Sequence, residues 1–276
     1  MIWRKIRHCF GGVRDGEEIH GVGGRDIALR ALKIYLPPDY DPGREHALLL
    51  ALDGQTMPRW RLGETLHDLV GRGLIEPAVV VAVPASARRL DEYGTAGALD
   101  FKQRGAQAEA FQLYLRETVL PLVRQRVTVS IDPARNGIFG ASMGGLGAFD
   151  AAWRRPDVFG CAGVFSGALW WRSDNSSPAA QQASRIVHRR VRETTGKPPL
   201  RLWFQAGTED EVADRDDNGV IDAIQDTTEL MDELARKGFH RGGDMEYLES
   251  RGGWHHEPTW AEALPEFLRW VLPPRG

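Results

Sequence analysis

The sequence predicts an α/β fold, with one mostly parallel central sheet and helices on both faces. Three observations carry this. Ala47–Leu52 and Ala78–Val83 are unbroken apolar runs, the pattern of strands buried on both faces. Helical periodicity alternates with such runs along the chain, which favours parallel pairing. Residues 138–146 read as a short apolar strand, then Gly-Ala-Ser-Met-Gly, then an apolar helix.

The elements follow in order. Residues 27–36 form an early strand that Pro37 and Pro38 end. Residues 65–72 read as a helix between the two apolar runs. A longer helix covers 106–125, with Pro121 expected to kink or split it. Cys161–Phe165, 200–206 and 245–249 are further strands, and an amphipathic helix over 260–271 closes the chain. The polar stretch 173–199 is read as a crossover helix with a long loop, in preference to a small cap. There is no internal repeat. The chain of 276 residues is read as a single domain, with residues 1–25 as an N-terminal extension.

The turn at Ser142 carries chemistry. A serine at a sharp strand-to-helix turn is pushed out of the sheet, so its Oγ is exposed. The helix behind it offers free N–H groups and a partial positive charge to a developing oxyanion. A nucleophilic serine needs a base, and the base needs an orienting acid. On such a sheet the acid follows a late strand and the histidine follows the last one. Residues 207–211, Gly-Thr-Glu-Asp-Glu, end the strand over 200–206. Residues 252–257, Gly-Gly-Trp-His-His-Glu, form the glycine-rich loop after the last strand. The other histidines lack such a position, and His67 and His188 read as helical and surface-exposed.

With these motifs the chain resembles the putative-esterase family of α/β-hydrolases. That family includes enterochelin esterase-like proteins, feruloyl esterases, S-formylglutathione hydrolase and mycolyltransferases. The resemblance rests on Leu-Ala-Leu-Asp-Gly-Gln at 50–55, Gly-Ala-Ser-Met-Gly-Gly at 140–145, Gly-Thr-Glu-Asp at 207–210 and His-His-Glu-Pro-Thr-Trp at 255–260. It implies a serine hydrolase with Ser142 as nucleophile, Asp210 as acid and His255 as base. His255 matches because the family places a tryptophan five residues after its histidine, where Trp260 stands. Glu209 and Glu211 stay open as alternative acids. The resemblance also implies an oxyanion hole from the backbone N–H groups of Gln55 and Met143. Acyl transfer to an alcohol or sugar, and a non-catalytic binding role, are the alternatives to hydrolysis.

Trp170 and Trp171 follow a strand on the edge where such sheets bind ligands, and Trp254 adjoins His255. Arg89, Glu92 and Tyr93 form an Arg-x-x-Glu-Tyr group that also resembles the family. These six residues are the expected substrate contacts. No cofactor is expected for the chemistry.

One segment lies outside this argument. Residues 214–222 read Asp-x-Asp-x-Asn-Gly-x-Ile-Asp, the spacing of a calcium loop. Asp214, Asp216, Asn218, the Val220 carbonyl, Asp222 and Asp226 are the expected ligands of a structural calcium. The twelfth position holds Gln225 in place of glutamate. The alternative is a polar turn in which Asp226 caps a helix over 227–237.

Composition bounds the partners. A net charge of -3 gives no reason to expect nucleic acid or an anionic membrane surface. No apolar run is long enough to span a bilayer, and the N-terminus lacks the apolar core of a secretory signal. Two cysteines, Cys9 and Cys161, make no disulfide framework, so a cytoplasmic location is expected, with a secreted mature form as the alternative; the resemblance implies a small-molecule ester as partner.

Overall fold

The computed structural model describes residues 17–274. The readings made at Cys9 and at the N-terminal ten residues lie outside this range. In chain order the elements are β1 (Glu18–Gly24), β2 (Ile27–Tyr35), β3 (Ala47–Leu52), α1 (Leu62–Gly71), β4 (Ala78–Val83), α2 (Arg89–Glu92), α3 (Ala108–Tyr114), α4 (Leu120–Arg124) and β5 (Asn136–Ala141). Then come α5 (Met143–Arg154), β6 (Cys161–Phe165), α6 (Pro178–Ala183), α7 (Ile186–Glu193), β7 (Arg201–Glu209), α8 (Asp222–Arg236), β8 (Met245–Trp254) and α9 (Glu257–Val271).

The described residues form one eight-stranded sheet in the order β1-β2-β4-β3-β5-β6-β7-β8. β1 and β2 pair antiparallel, as do β2 and β4; every other pairing is parallel. The fold is the mostly parallel α/β arrangement expected. Strands β3 and β4 show why. Leu48, Leu50, Leu52, Val79, Val81 and Val83 point into one core, while Ala47, Leu49, Ala51, Ala78, Val80 and Ala82 point into the other. Both faces are dry, so the runs have no polar alternation. The second core is covered by α1 and α9 and is rich in aromatics: Trp60, Phe139, Phe165, Trp203, Trp260 and Phe267.

Several boundaries differ from the sequence reading. β1 lies within the expected N-terminal extension and adds an edge strand. The helical stretch is split next to Pro121, as expected: a wide turn over Leu115–Val119 joins α3 to α4. Proline lacks an N–H and its ring crowds the carbonyl one turn back, and an i→i+5 turn relieves both. β8 continues through Gly252, Gly253 and Trp254, which were read as loop. α9 starts at Glu257, one residue after its N-cap. His188 is buried, against the expectation of a surface position. It sits on α7 against α8, and its Nε2 meets the Asp226 carbonyl at 2.8 Å. Burial, reinforced by the Arg185 guanidinium, pushes the imidazole well below the usual range. The segment 173–199 holds α6 and α7, and Ile186, Val187 and Val191 of α7 join the first core. Cys161 is buried, and burial pushes its thiol up to about 12, so it is an inert core residue. Among the described residues, no helix is long and apolar enough to cross a membrane.

Candidate active site

Ser142 stands between β5 and α5 with φ 55° and ψ −123°. A non-glycine residue there costs on the order of 1–3 kcal/mol, a strain that recurs where a side chain must be presented rather than packed. Tight crossing makes the turn feasible. A Cβ on Gly140 would lie 2.8 Å from the Gly144 backbone, so only glycine lets the strand and helix pass this closely. The Ser142 backbone is tied on both sides: its N–H donates to Phe165 O at 2.9 Å and its carbonyl accepts from Ala168 N at 3.0 Å. Met143 is the first residue of α5, where an N–H has no intrahelical acceptor.

Asp53 and Gln55 sit beside this turn. Asp53 takes a left-handed backbone, φ 55°, and opens a single 3-10 turn over Gly54–Thr56. Its carboxylate packs on the start of α5, since a Cβ on Gly144 would meet Asp53 Oδ2 at 2.8 Å. Arg89 grips that carboxylate with two bonds, Nε to Oδ1 at 2.7 Å and Nη2 to Oδ2 at 2.6 Å. The same Nη2 reaches the Ala141 carbonyl at 3.4 Å. Arg89 therefore ties the Gln55 loop to the Ser142 turn, and its side chain keeps 31% exposure. Glu92 and Tyr93 do not share that exposure. Tyr93 is fully buried and accepts from Asp53 N at 3.1 Å. Glu92 is buried against Arg30 at 2.8 Å. Tyr93 supports the loop from behind, and neither side chain can touch a substrate without unpacking.

Asp210 follows β7 and His255 follows β8, at the same carboxyl edge of the sheet as Ser142. His255 Nδ1 lies 3.7 Å from Asp210 Oδ1, longer than a hydrogen bond. Catalytic contacts often tighten only with substrate bound. Asp210 is thus the carboxylate that the structure pairs with His255. Glu211 instead faces Asp222 and Asp226, and burial next to those charges pushes its carboxyl up to about 7. The Asp210 side chain is only 1% exposed. It is held by Gly207 N on Oδ2 at 2.9 Å and by the Ser166 hydroxyl on Oδ1 at 3.0 Å. Burial pushes His255 below the usual histidine range; Asp210 opposes this, and Arg89 and His256 reinforce it. Ser142 Oγ makes no hydrogen bond among the described residues, so it is free to meet an incoming carbonyl.

His256 has a different task. It is the N-cap of α9, and its Nδ1 accepts from Thr259 N at 3.3 Å. Of the tryptophans, Trp254 is 58% exposed beside His255. Trp170 is half-buried, and Arg104 and Arg172 lie over its ring. Trp171 is fully buried with its indole against Gly94 and Gly105, a packing position. Sequence reading missed the role of Ser166. The available signal was a polar residue directly past a core strand on the ligand edge.

The Asp-rich loop is not assembled around one point. Asp214 accepts from Asn218 N at 3.1 Å and Gly219 N at 2.8 Å, and Val220 N donates to Asn218 Oδ1 at 2.8 Å. Gln225 Nε2 donates to Asp216 Oδ2 at 2.9 Å. Asp222 and Asp226 are turned away and buried, with the Arg215 guanidinium between them. Arg185, the residue just before α7, also reaches Asp226 at 2.5 Å. Among the described residues, no three His, Cys, Asp or Glu side chains converge on a metal position. The helix-cap alternative is corrected: α8 begins at Asp222, so Asp226 lies inside it. Asp222 instead favours the positive end of the helix and accepts from Arg215 N at 2.9 Å.

Comparison with known proteins fits this arrangement. The family model described as "Putative esterase" matches residues 28–271. Iron(III) enterobactin esterase of Escherichia coli K12 is 28% identical over 170 residues, covering 59% of this chain and 38% of that protein. The enterochelin esterase structure from Shigella flexneri superposes with a TM-score of 0.73 at 22% identity, over 95% of this chain and 59% of that one. The siderophore hydrolase EstB from Aspergillus nidulans superposes with a TM-score of 0.68 at 17% identity, over 98% and 99% of the two chains. The chain therefore spans well under two thirds of both enterobactin esterases but the full length of the Aspergillus protein. With an α/β-hydrolase sheet and a match over nearly all its length, the chain belongs to the putative esterase family of carboxylic-ester hydrolases.

Proposed function

We propose that this protein hydrolyses small-molecule carboxylic esters through an acyl-enzyme, with Ser142, His255 and Asp210 as a triad. The observation that carries the reading is the strained, half-buried Ser142 turn sharing one sheet edge with the His255–Asp210 pair. His255 removes the Ser142 proton as Oγ attacks the ester carbonyl. Asp210 fixes the imidazole tautomer and stabilises its charged form. The N–H groups of Met143 and Gln55 receive the oxyanion, and Arg89 holds the Gln55 loop in place for this. His255 then protonates the departing alcohol, and water deacylates Ser142. Trp254 and Trp170 supply apolar surface for the acyl or alcohol group. Relatives are named as an enterobactin esterase and a feruloyl esterase, so aryl esters belong in the first panel.

The test is turnover of short-chain and aryl esters, combined with mass spectrometry after an organophosphonate inhibitor. The adduct is expected on Ser142. Labelling elsewhere, or no turnover of any ester, overturns the reading. Adding a sugar or alcohol acceptor separates transfer from hydrolysis by its products.

The pH profile follows from the depressed His255. The base must be neutral to work, so kcat/KM rises as pH rises through its pKa. The midpoint of this acid limb is expected below the ordinary histidine value of about 6.5. A midpoint above that value would show that Asp210 outweighs burial.

Calcium at the Asp-rich loop would have to take Asp222 and Asp226 from Arg215. We therefore expect the melting temperature to be insensitive to chelator and to added calcium. Arg215→Met is expected to destabilise by about 1–3 kcal/mol, because Asp222 loses its charged partner while Asp226 keeps Arg185. A calcium-dependent rise in melting temperature would restore the six-ligand site.

A further inference from the structure

Behind the acid lies a second set of groups. Ser166 follows β6, is 3% exposed, and takes a left-handed backbone with φ 42°. A non-glycine residue persists there only where its surroundings over-determine it. Its N–H donates to Gln205 O at 2.7 Å. Its hydroxyl accepts from Trp260 Nε1 at 2.9 Å and lies 3.0 Å from Asp210 Oδ1. Gln205 Oε1 is also near, at 3.3 Å. A hydroxyl has one proton, and the shorter contact to an ionised carboxylate takes it.

Trp260 is used twice. Its indole N–H anchors Ser166, and its ring meets the His255 ring edge-on, with centroids 5.3 Å apart at 86°. One side chain therefore touches the base directly and the acid through Ser166. Asp210 Oδ1 is the oxygen nearest both the Ser166 hydroxyl and His255 Nδ1.

We infer that Ser166 and Trp260 are positioning residues for the hydrolytic reaction: they lock Asp210 Oδ1 and the His255 ring in one geometry and set the basicity of the base. The inference rests on the roles proposed above for His255 and Asp210. A serine that merely satisfies a buried indole would affect stability alone. Here the Ser166 proton also shares the charge on Oδ1. Without it, that charge acts more fully on the imidazolium, so the His255 pKa rises. Asp210 also loses one of two fixed bonds, so its orientation loosens and the transition state loses more than the ground state.

The charged groups facing His255 are Asp210 past β7, Arg89 on α2 and His256 in its own loop. Those facing Asp210 include Glu211 and Tyr247. None of them is altered by substitutions at Ser166 or Trp260.

The experiment is steady-state kinetics of Ser166→Ala, Trp260→Phe and the double variant across the acid limb, on an aryl ester the parent turns over. Ser166→Ala is expected to lower kcat at least about tenfold with KM nearly unchanged, and to move the acid limb upward. Trp260→Phe keeps a ring but removes the donor, and should shift both in the same direction by less. The double variant should be no worse than Ser166→Ala, because the two act as one unit. Ser166→Gly guards against misfolding, since glycine accepts the left-handed backbone and still lacks the hydroxyl. If Ser166→Gly keeps the parent kcat and acid limb, or if the two losses simply add, the relay is overturned while the triad stands. A parent lacking Ser142-dependent turnover overturns the triad and the relay with it.

Discussion

Ser142→Ala is expected to lose ester hydrolysis by about 10⁴-fold or more in kcat while melting near the parent temperature. The hydroxyl makes no hydrogen bond among the described residues, so its removal orphans no partner. The left-handed backbone at φ 55° is as strained for alanine as for serine, so the turn gains no reason to relax. Its ties to Phe165 O and Ala168 N are made by the backbone and survive. Loss without unfolding is therefore specific to the nucleophile. Turnover comparable to the parent, in protein shown to be folded by circular dichroism, would mean that another group attacks the ester.

What was legible in the sequence follows from where the determining forces act. β3, β4 and β6 were readable to the residue because both faces are dry, and an unbroken apolar run has no other stable home. β1 was not. Its sequence, Glu-Ile-His-Gly-Val-Gly-Gly, buries only Ile19 and Val22, with irregular register against β2. An edge strand of that kind is specified by its partner more than by its own pattern. His188 misled for a similar reason. Its neighbours Arg189, Arg190 and Arg192 are charged, and only packing against α8 buries the ring.

The site divides the same way. Ser142, the acid segment and the paired histidines were found from chain order past successive strands, which is a property of the sequence. The burial of Glu92, Tyr93 and Trp171 was not, because their partners Arg30, Asp53 and Gly105 lie far along the chain. In the Asp-rich loop the spacing of the carboxylates was legible, but their ion-pair partners were not. The carboxylates stand at ion-binding intervals, yet Arg215, one of the intervening residues, and the distant Arg185 engage Asp226. Counting ligands does not reveal a competing cation supplied by the chain.

The adjacent histidines give the sharpest test of register. His255→Ala is expected to fall by about 10⁴-fold or more in kcat, much as loss of the nucleophile does. His256→Ala should keep most activity. The structure supplies a reason beyond the interval to Trp260. The His256 ring is committed to Thr259 N as the N-cap of α9, while His255 faces Asp210 and the edge of Trp260. Losing the cap costs about 1 kcal/mol. In a domain of this size that is a fall of roughly 2–4 °C in melting temperature. The two variants should therefore separate on both axes: one inactive and near parent stability, the other active and slightly less stable. If His256→Ala is instead the inactive variant, the base and the cap have been exchanged. The α9 N-terminus would then begin one residue earlier, and the contact between His255 and Asp210 would lose its catalytic meaning.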